Sequence, residues 1–129
     1  MKDHRHPVKI YLEDTDAQGI VYHANYLKYF ERARTEILES MGGMPVALGE
    51  RALRLVVHEV QLKFNRPAQL GDDLEIRSTS TRASSFRISF EQAVFRGDES
   101  KPLVAGTVHV VCINQAGELA ELPDGFLAD

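Results

Sequence analysis

The chain has 129 residues, 43% of them hydrophobic and 26% charged, the balance of one globular domain over residues 1–129. Its net charge of −4 excludes the uniformly basic surface that nucleic acid requires, yet leaves room for a local basic pocket for a phosphorylated ligand. One cysteine, Cys112, excludes an intrachain disulfide framework. The first seven residues lack an apolar h-region and no window approaches the ~20 apolar residues of a membrane span, so a cytoplasmic protein is expected.

His4 and His6 read as a flexible polar start, with at most an adventitious metal contact. Residues 8–12 alternate, with Val8, Ile10 and Leu12 on one face, and predict a first strand. Glu13-Asp14-Thr15-Asp16 then favours turns and local side-chain-to-backbone bonds. Gly19 follows, available for a positive φ or a close approach.

A helix is expected to start between Tyr22 and Asn25 and to run to about Met41. Tyr26, Phe30, Ala33, Ile37 and Met41 recur at spacings of three and four, one apolar stripe. Gly42-Gly43, with Pro45 beyond, stop it, and residues 42–51 form a loop or short irregular helix.

From Leu53 the period changes to two. Val56, His58, Val60, Leu62 and Phe64 share one face of a second strand, which makes His58 a core histidine. Residues 66–73 are turn-rich. Leu74, Ile76 and Ser78 open a third strand and Ser84-Ser85 interrupts. Phe86, Ile88, Phe90, Gln92 and Val94 line a fourth, and residues 103–114 make a fifth. Cys112 reads as a small buried hydrophobe; pairing with His109 is disfavoured because the two point to opposite faces. Residues 117–129 read as a surface-attached or frayed tail.

The pattern is α+β: one strand, one long helix, then four consecutive strands in which hairpins are easy and crossovers are not. One helix covers one sheet face only, so burial predicts pairing with another subunit, with the 108–113 run as a candidate edge.

The run Asp14-Thr15-Asp16-Ala17-Gln18-Gly19-Ile20-Val21-Tyr22-His23-Ala24-Asn25-Tyr26, followed by Phe30-Glu31-Arg32-Ala33-Arg34-Thr35-Glu36, carries a resemblance. It resembles the hot-dog-fold acyl-CoA thioesterases of the 4-hydroxybenzoyl-CoA thioesterase type, and more narrowly the branch associated with the Tol-Pal envelope system. Pro67-Ala68, Leu70, Asp72, Leu74-Glu75-Ile76 and Val110-Val111-Cys112 fit the same pattern. The resemblance implies a five-stranded antiparallel sheet wrapped around one long central helix. It implies hydrolysis of acyl-CoA to free acid and coenzyme A, no cofactor and no metal. It also implies active sites at a dimer interface, commonly within a homotetramer that is a dimer of dimers, with an acyl-carrier protein as an alternative partner.

By that resemblance Asp16 acts on the thioester and the backbone N–H of His23 polarises its carbonyl. A carboxylate can attack directly or activate water, and a helix N-terminus favours an oxyanion. The coenzyme A thiol, with a pKa of about 8.5 if it resembles cysteine, leaves without strong acid assistance. Gly19, Gln18, Asn25, Tyr26 and Arg82 are candidate substrate-binding residues: Gly19 for close approach, Gln18 and Asn25 as hydrogen bonders, Tyr26 as a wall of the acyl pocket, Arg82 for coenzyme A phosphate. Asp14 suits a structural role. A metal held by Asp14, Asp16 and His23 lacks a strong ligand signature. Two rivals remain: an acyl-thioester hydratase or dehydratase of the same fold, and a non-catalytic acyl-CoA or acyl-carrier binding scaffold.

Overall fold

The computed structural model describes residues 3–41, 49 and 52–127. The expected Gly42-Gly43 stop and nearly all of the connection to Arg51 lie outside them. The elements run β1 (Asp3–Lys9), α1 (Asn25–Ser40), β2 (Arg54–Phe64), β3 (Asp73–Arg82), β4 (Arg87–Arg96) and β5 (Val104–Ile113). The strands form one sheet in the order β1-β3-β4-β5-β2, with every pair antiparallel. With α1 against one face, this is the expected hot-dog architecture.

Helix α1 forms because its apolar residues fall on one stripe and no glycine or proline interrupts them. Tyr26, Phe30, Ala33 and Ile37 are buried as the periodicity requires, joined by Tyr29 and Leu38. Met41 stays exposed. Beneath them lie Ile76, Ile88, Phe90, Val94 and Val108, all fully or almost fully buried. Each such side chain withdrawn from water contributes about 1.5–3 kcal/mol. Gln92 occupies a core position of β4. Its Nε2 donates to the Phe30 carbonyl and to Ser78 Oγ, each at 3.0 Å, and its Oε1 accepts from Arg34 Nη1 at 3.0 Å. A fully bonded amide can stay inside at little cost.

Four expectations need correction. β1 begins at Asp3, so His4 and His6 are half-buried strand residues opposite Ser78 and Ile76 rather than a loose start. It also ends earlier, because the Asp14 carboxylate captures the Tyr11 N–H at 2.8 Å and turns the chain. Leu12 consequently lies in a short 3-10 turn (Leu12–Asp14), 73% exposed.

β2 does not form a hairpin with β3; it crosses to pair with β5, which makes β1 and β2 the edges and β5 an interior strand. A register shift between Val57 and Glu59 makes His58 a bulge, breaking the alternation and leaving that histidine exposed rather than in the core.

Of the two alternatives for the tail, the attached one holds as far as Leu127. Ala120 N–H and Leu122 N–H donate to the Cys112 and Ser85 carbonyls, and Leu122, Phe126 and Leu127 are buried with Ile88 and Val110.

Candidate active site

Between β1 and α1 the chain makes a small hairpin whose bonds are local. Asp16 and Ile20 pair, with Asp16 N–H donating to the Ile20 carbonyl at 2.9 Å, and Gly19 N–H closes a turn onto the Asp16 carbonyl at 3.0 Å. Gly19 has φ +80°, and a Cβ there would meet nothing within 4 Å. A Gly19→Ala substitution therefore costs conformational strain alone. It is expected to lower stability by about 1–2 kcal/mol, read as a fall in thermal midpoint without loss of the folded baseline.

The two aspartates have different duties. Asp14 Oδ1 accepts from Tyr29 Oη at 2.8 Å, Asp14 Oδ2 accepts from the Tyr11 N–H, and the Asp14 carbonyl accepts from Asn25 Nδ2 at 2.9 Å. Burial, followed by this bond to a carboxylate, pushes the Tyr29 phenol far above its ordinary range. Asp14 thus holds the loop onto the helix. Asp16 spends only Oδ1, on the Gln18 N–H at 2.8 Å. Its Oδ2 has no hydrogen-bond partner among the described residues, and the residue is half-buried.

The returning arm of the hairpin enters α1 through Tyr22, His23 and Ala24. Ala24 is the N-cap and provides no side-chain bond. Among the described residues, neither the His23 nor the Ala24 N–H meets a backbone acceptor. Free donors at the positive end of a helix dipole are an anion site in waiting.

Beside them opens a cavity of about 230 Å³, walled by Ile20, Val21, His23, Tyr26, Phe64 and Pro67. The His23 ring lies edge-on to Phe64 at 6.1 Å between centroids, and Tyr26 sits 5.9 Å from Phe64. Tyr26 is buried, and its Oη accepts from the Ala68 N–H at 3.2 Å. The Val21 N–H donates to the Ala68 carbonyl, and Ile20 bridges to Gln69. The segment between β2 and β3 is therefore part of the site's frame. Arg96 and Arg66 pin that segment through Asp72 and Glu99, and their hydrogen bonds hold the Glu99 carboxyl below its usual range.

The structure brings His23 and Tyr26 together around the cavity and sets the Asp16 turn on the hairpin that forms one wall. Gln18 is exposed at the turn, and Asn25 serves the loop through Asp14. Arg82 lies at the far end of β3, where Nη1 and Nη2 donate to the Pro123 and Leu122 carbonyls at 3.0 and 3.2 Å. Its guanidinium clamps the tail, a duty that the β3–β4 hairpin sequence does not disclose. Phe64 was legible only as a strand residue, because the partner that makes it a site residue is 41 positions away in sequence.

The fold, together with the relatives that follow, makes this chain a thioester hydrolase of the hot-dog class. The chain belongs to the thioesterase-like superfamily, whose family model matches residues 10–129. Acyl-CoA thioester hydrolase YbgC of Escherichia coli O157:H7 is 38% identical over 110 residues, 85% of this chain and 81% of the relative. Acyl-CoA thioesterase YbgC of Haemophilus influenzae is 38% identical over 109 residues, 84% of this chain and 79% of the relative. Among solved structures, a probable thioesterase from Bartonella henselae superposes with a TM-score of 0.85 at 33% identity, covering 95% of this chain and all of the other. The 1,4-dihydroxy-2-naphthoyl-CoA thioesterase Slr0204 from Synechocystis superposes with a TM-score of 0.86 at 26% identity, covering 95% and 90%. No helix among the described residues is long and apolar enough to cross a membrane.

Proposed function

We propose that the protein hydrolyses acyl-CoA to the free acid and coenzyme A, with Asp16 as nucleophile or general base and the N–H groups at the start of α1 as the oxyanion site. The observation that carries this reading is the helix start itself: an N-terminus without a side-chain cap, with free N–H groups at His23 and Ala24, opening beside an apolar cavity. A thioester carbonyl placed there gains donors aimed at the charge that develops on attack. The free Oδ2 of Asp16 supports its assignment over Asp14, whose two oxygens are committed. Relatives named as acyl-CoA thioester hydrolases support the substrate class.

The working unit is a homodimer built on β2. Among the described residues that strand pairs only with β5, and Val57 and Phe64 along it are 51% and 49% exposed. An unpaired edge strand of 11 residues, with Val57 and Phe64 exposed along it, is a template for a second copy.

Free thiol released from short, long and aromatic acyl-CoAs tests the activity. Turnover on at least one is expected. Tight binding with no thiol released would replace this reading with a binding scaffold. A change in double-bond absorbance without thiol would replace it with a hydratase.

A further inference from the structure

A second cavity, of about 210 Å³, lies between α1 and β2 at the opposite end of the strand from Phe64. Its floor is apolar, from Leu38, Leu55, Val57 and Phe90. Its polar wall is Arg34, half-buried, with the guanidinium 5.9 Å from the Phe90 ring centre. Arg34 is aimed by Gln92, which two other hydrogen bonds and near-complete burial hold still.

Arg34 forms no ion pair among the described residues. Glu31 also lines the cavity, but its carboxylate accepts from Thr35 Oγ1 at 3.2 Å. Burial lowers the Arg34 pKa and Glu31 opposes that, so the nearby acid acts at a distance rather than as a partner. A rigidly aimed, partly desolvated cation over an apolar floor is costly unless something anionic meets it. Its planar fork suits a carboxylate.

Antiparallel pairing of β2 with its copy requires a two-fold axis perpendicular to the sheet. Both α1 helices then lie on the same face. With that pairing centred on the strand, the Leu55–Val57 end of one β2 comes beside the Phe64 end of the other, and each Arg34 cavity faces the partner's His23 cavity. Singly, each is smaller than the ~300–1,000 Å³ of ordinary small-molecule pockets.

We infer that Arg34 of one subunit completes the acyl site of the other, receiving a carboxylate at the distal end of the acyl group. This rests on the thioesterase and dimer readings above. Arg34 would favour ω-carboxyacyl over plain alkanoyl thioesters.

The test uses matched straight-chain acyl-CoA and ω-carboxyacyl-CoA series with wild type, Arg34→Met and Arg34→Lys. Arg34→Met is expected to lower kcat/KM for the ω-carboxy series by about 10–100-fold, the scale of a lost hydrogen bond to a charged group, with little change on the plain series. Arg34→Lys should recover part of the loss. Equal losses on both series would make Arg34 only a support for Gln92, and no loss would also overturn the inference.

Turnover of the aromatic acyl-CoAs alone keeps the hydrolase reading and overturns the ω-carboxyacyl assignment. If wild type turns over neither series nor the aromatic substrates, the hydrolase reading falls. Calorimetric binding of the same ligands to wild type and Arg34→Met then decides the Arg34 site by itself. Mixing Arg34→Met with Asp16→Asn chains separates the arrangements. A shared site regenerates one intact centre per mixed dimer and restores ω-carboxyacyl turnover, whereas failure to restore it would overturn the assignment across subunits.

Discussion

Asp16→Asn is expected to lower kcat for acyl-CoA hydrolysis by at least about 10²-fold, the usual scale for removing a positioned acid or base. KM should move little. The physical ground is that asparagine keeps the one bond Asp16 makes within the loop. The amide oxygen still accepts from the Gln18 N–H, so the hairpin closes as before. Lost is the second anionic oxygen, the one with no partner among the described residues, which alone can attack a thioester or draw a proton from water. Steady-state thiol release, run beside thermal melts of both proteins, separates chemistry from folding. A variant that melts with wild type yet turns over normally would return Asp16 to turn-making and move the search to another acid.

The helix and the motif were legible because each is local. The 3.6-residue spacing of Tyr26, Phe30, Ala33 and Ile37 describes one face of one helix, and the acid-glycine-histidine order lies within a dozen residues. The turn-making of Asp14 was legible in kind, since aspartate before a turn is apt to bond its own backbone, but the same reading applied to Asp16, and only the resemblance set the two apart.

Residues whose meaning is set from a distance were not legible. Tyr29 lies beside the apolar stripe, and only the returning Asp14 explains its complete burial. The bulge at His58 inverts an alternation that looked regular, because register is decided by β5 and not by β2 alone. Leu122 and Phe126 follow a polar stretch that resembles a frayed end, yet they dock because the sheet leaves an apolar strip beside Ile88 and Val110. Phe64 and Arg34 gain functional meaning only after β2 crosses to the far edge and creates a groove along α1.

Asp14→Ala should do the opposite of Asp16→Asn, unsettling the fold before the chemistry. The alanine removes the acceptor for the Tyr29 hydroxyl, on a side chain with no exposed surface, and for the Tyr11 N–H that ends β1. Leaving a buried donor unpaired costs about 1–3 kcal/mol, and losing the second charge-assisted bond adds to it, for a total of about 2–4 kcal/mol. In a chain of this size that lowers the thermal midpoint by roughly 10 °C. Tyr29→Phe deletes the orphaned hydroxyl, so adding it to Asp14→Ala should recover part of the loss instead of deepening it. That recovery is the signature of coupled partners in a double-mutant cycle. Additive losses would mean that the two side chains stabilise the protein independently. The loop would then be held on α1 chiefly by Asn25, whose Nδ2 reaches the Asp14 carbonyl whatever side chain stands at position 14.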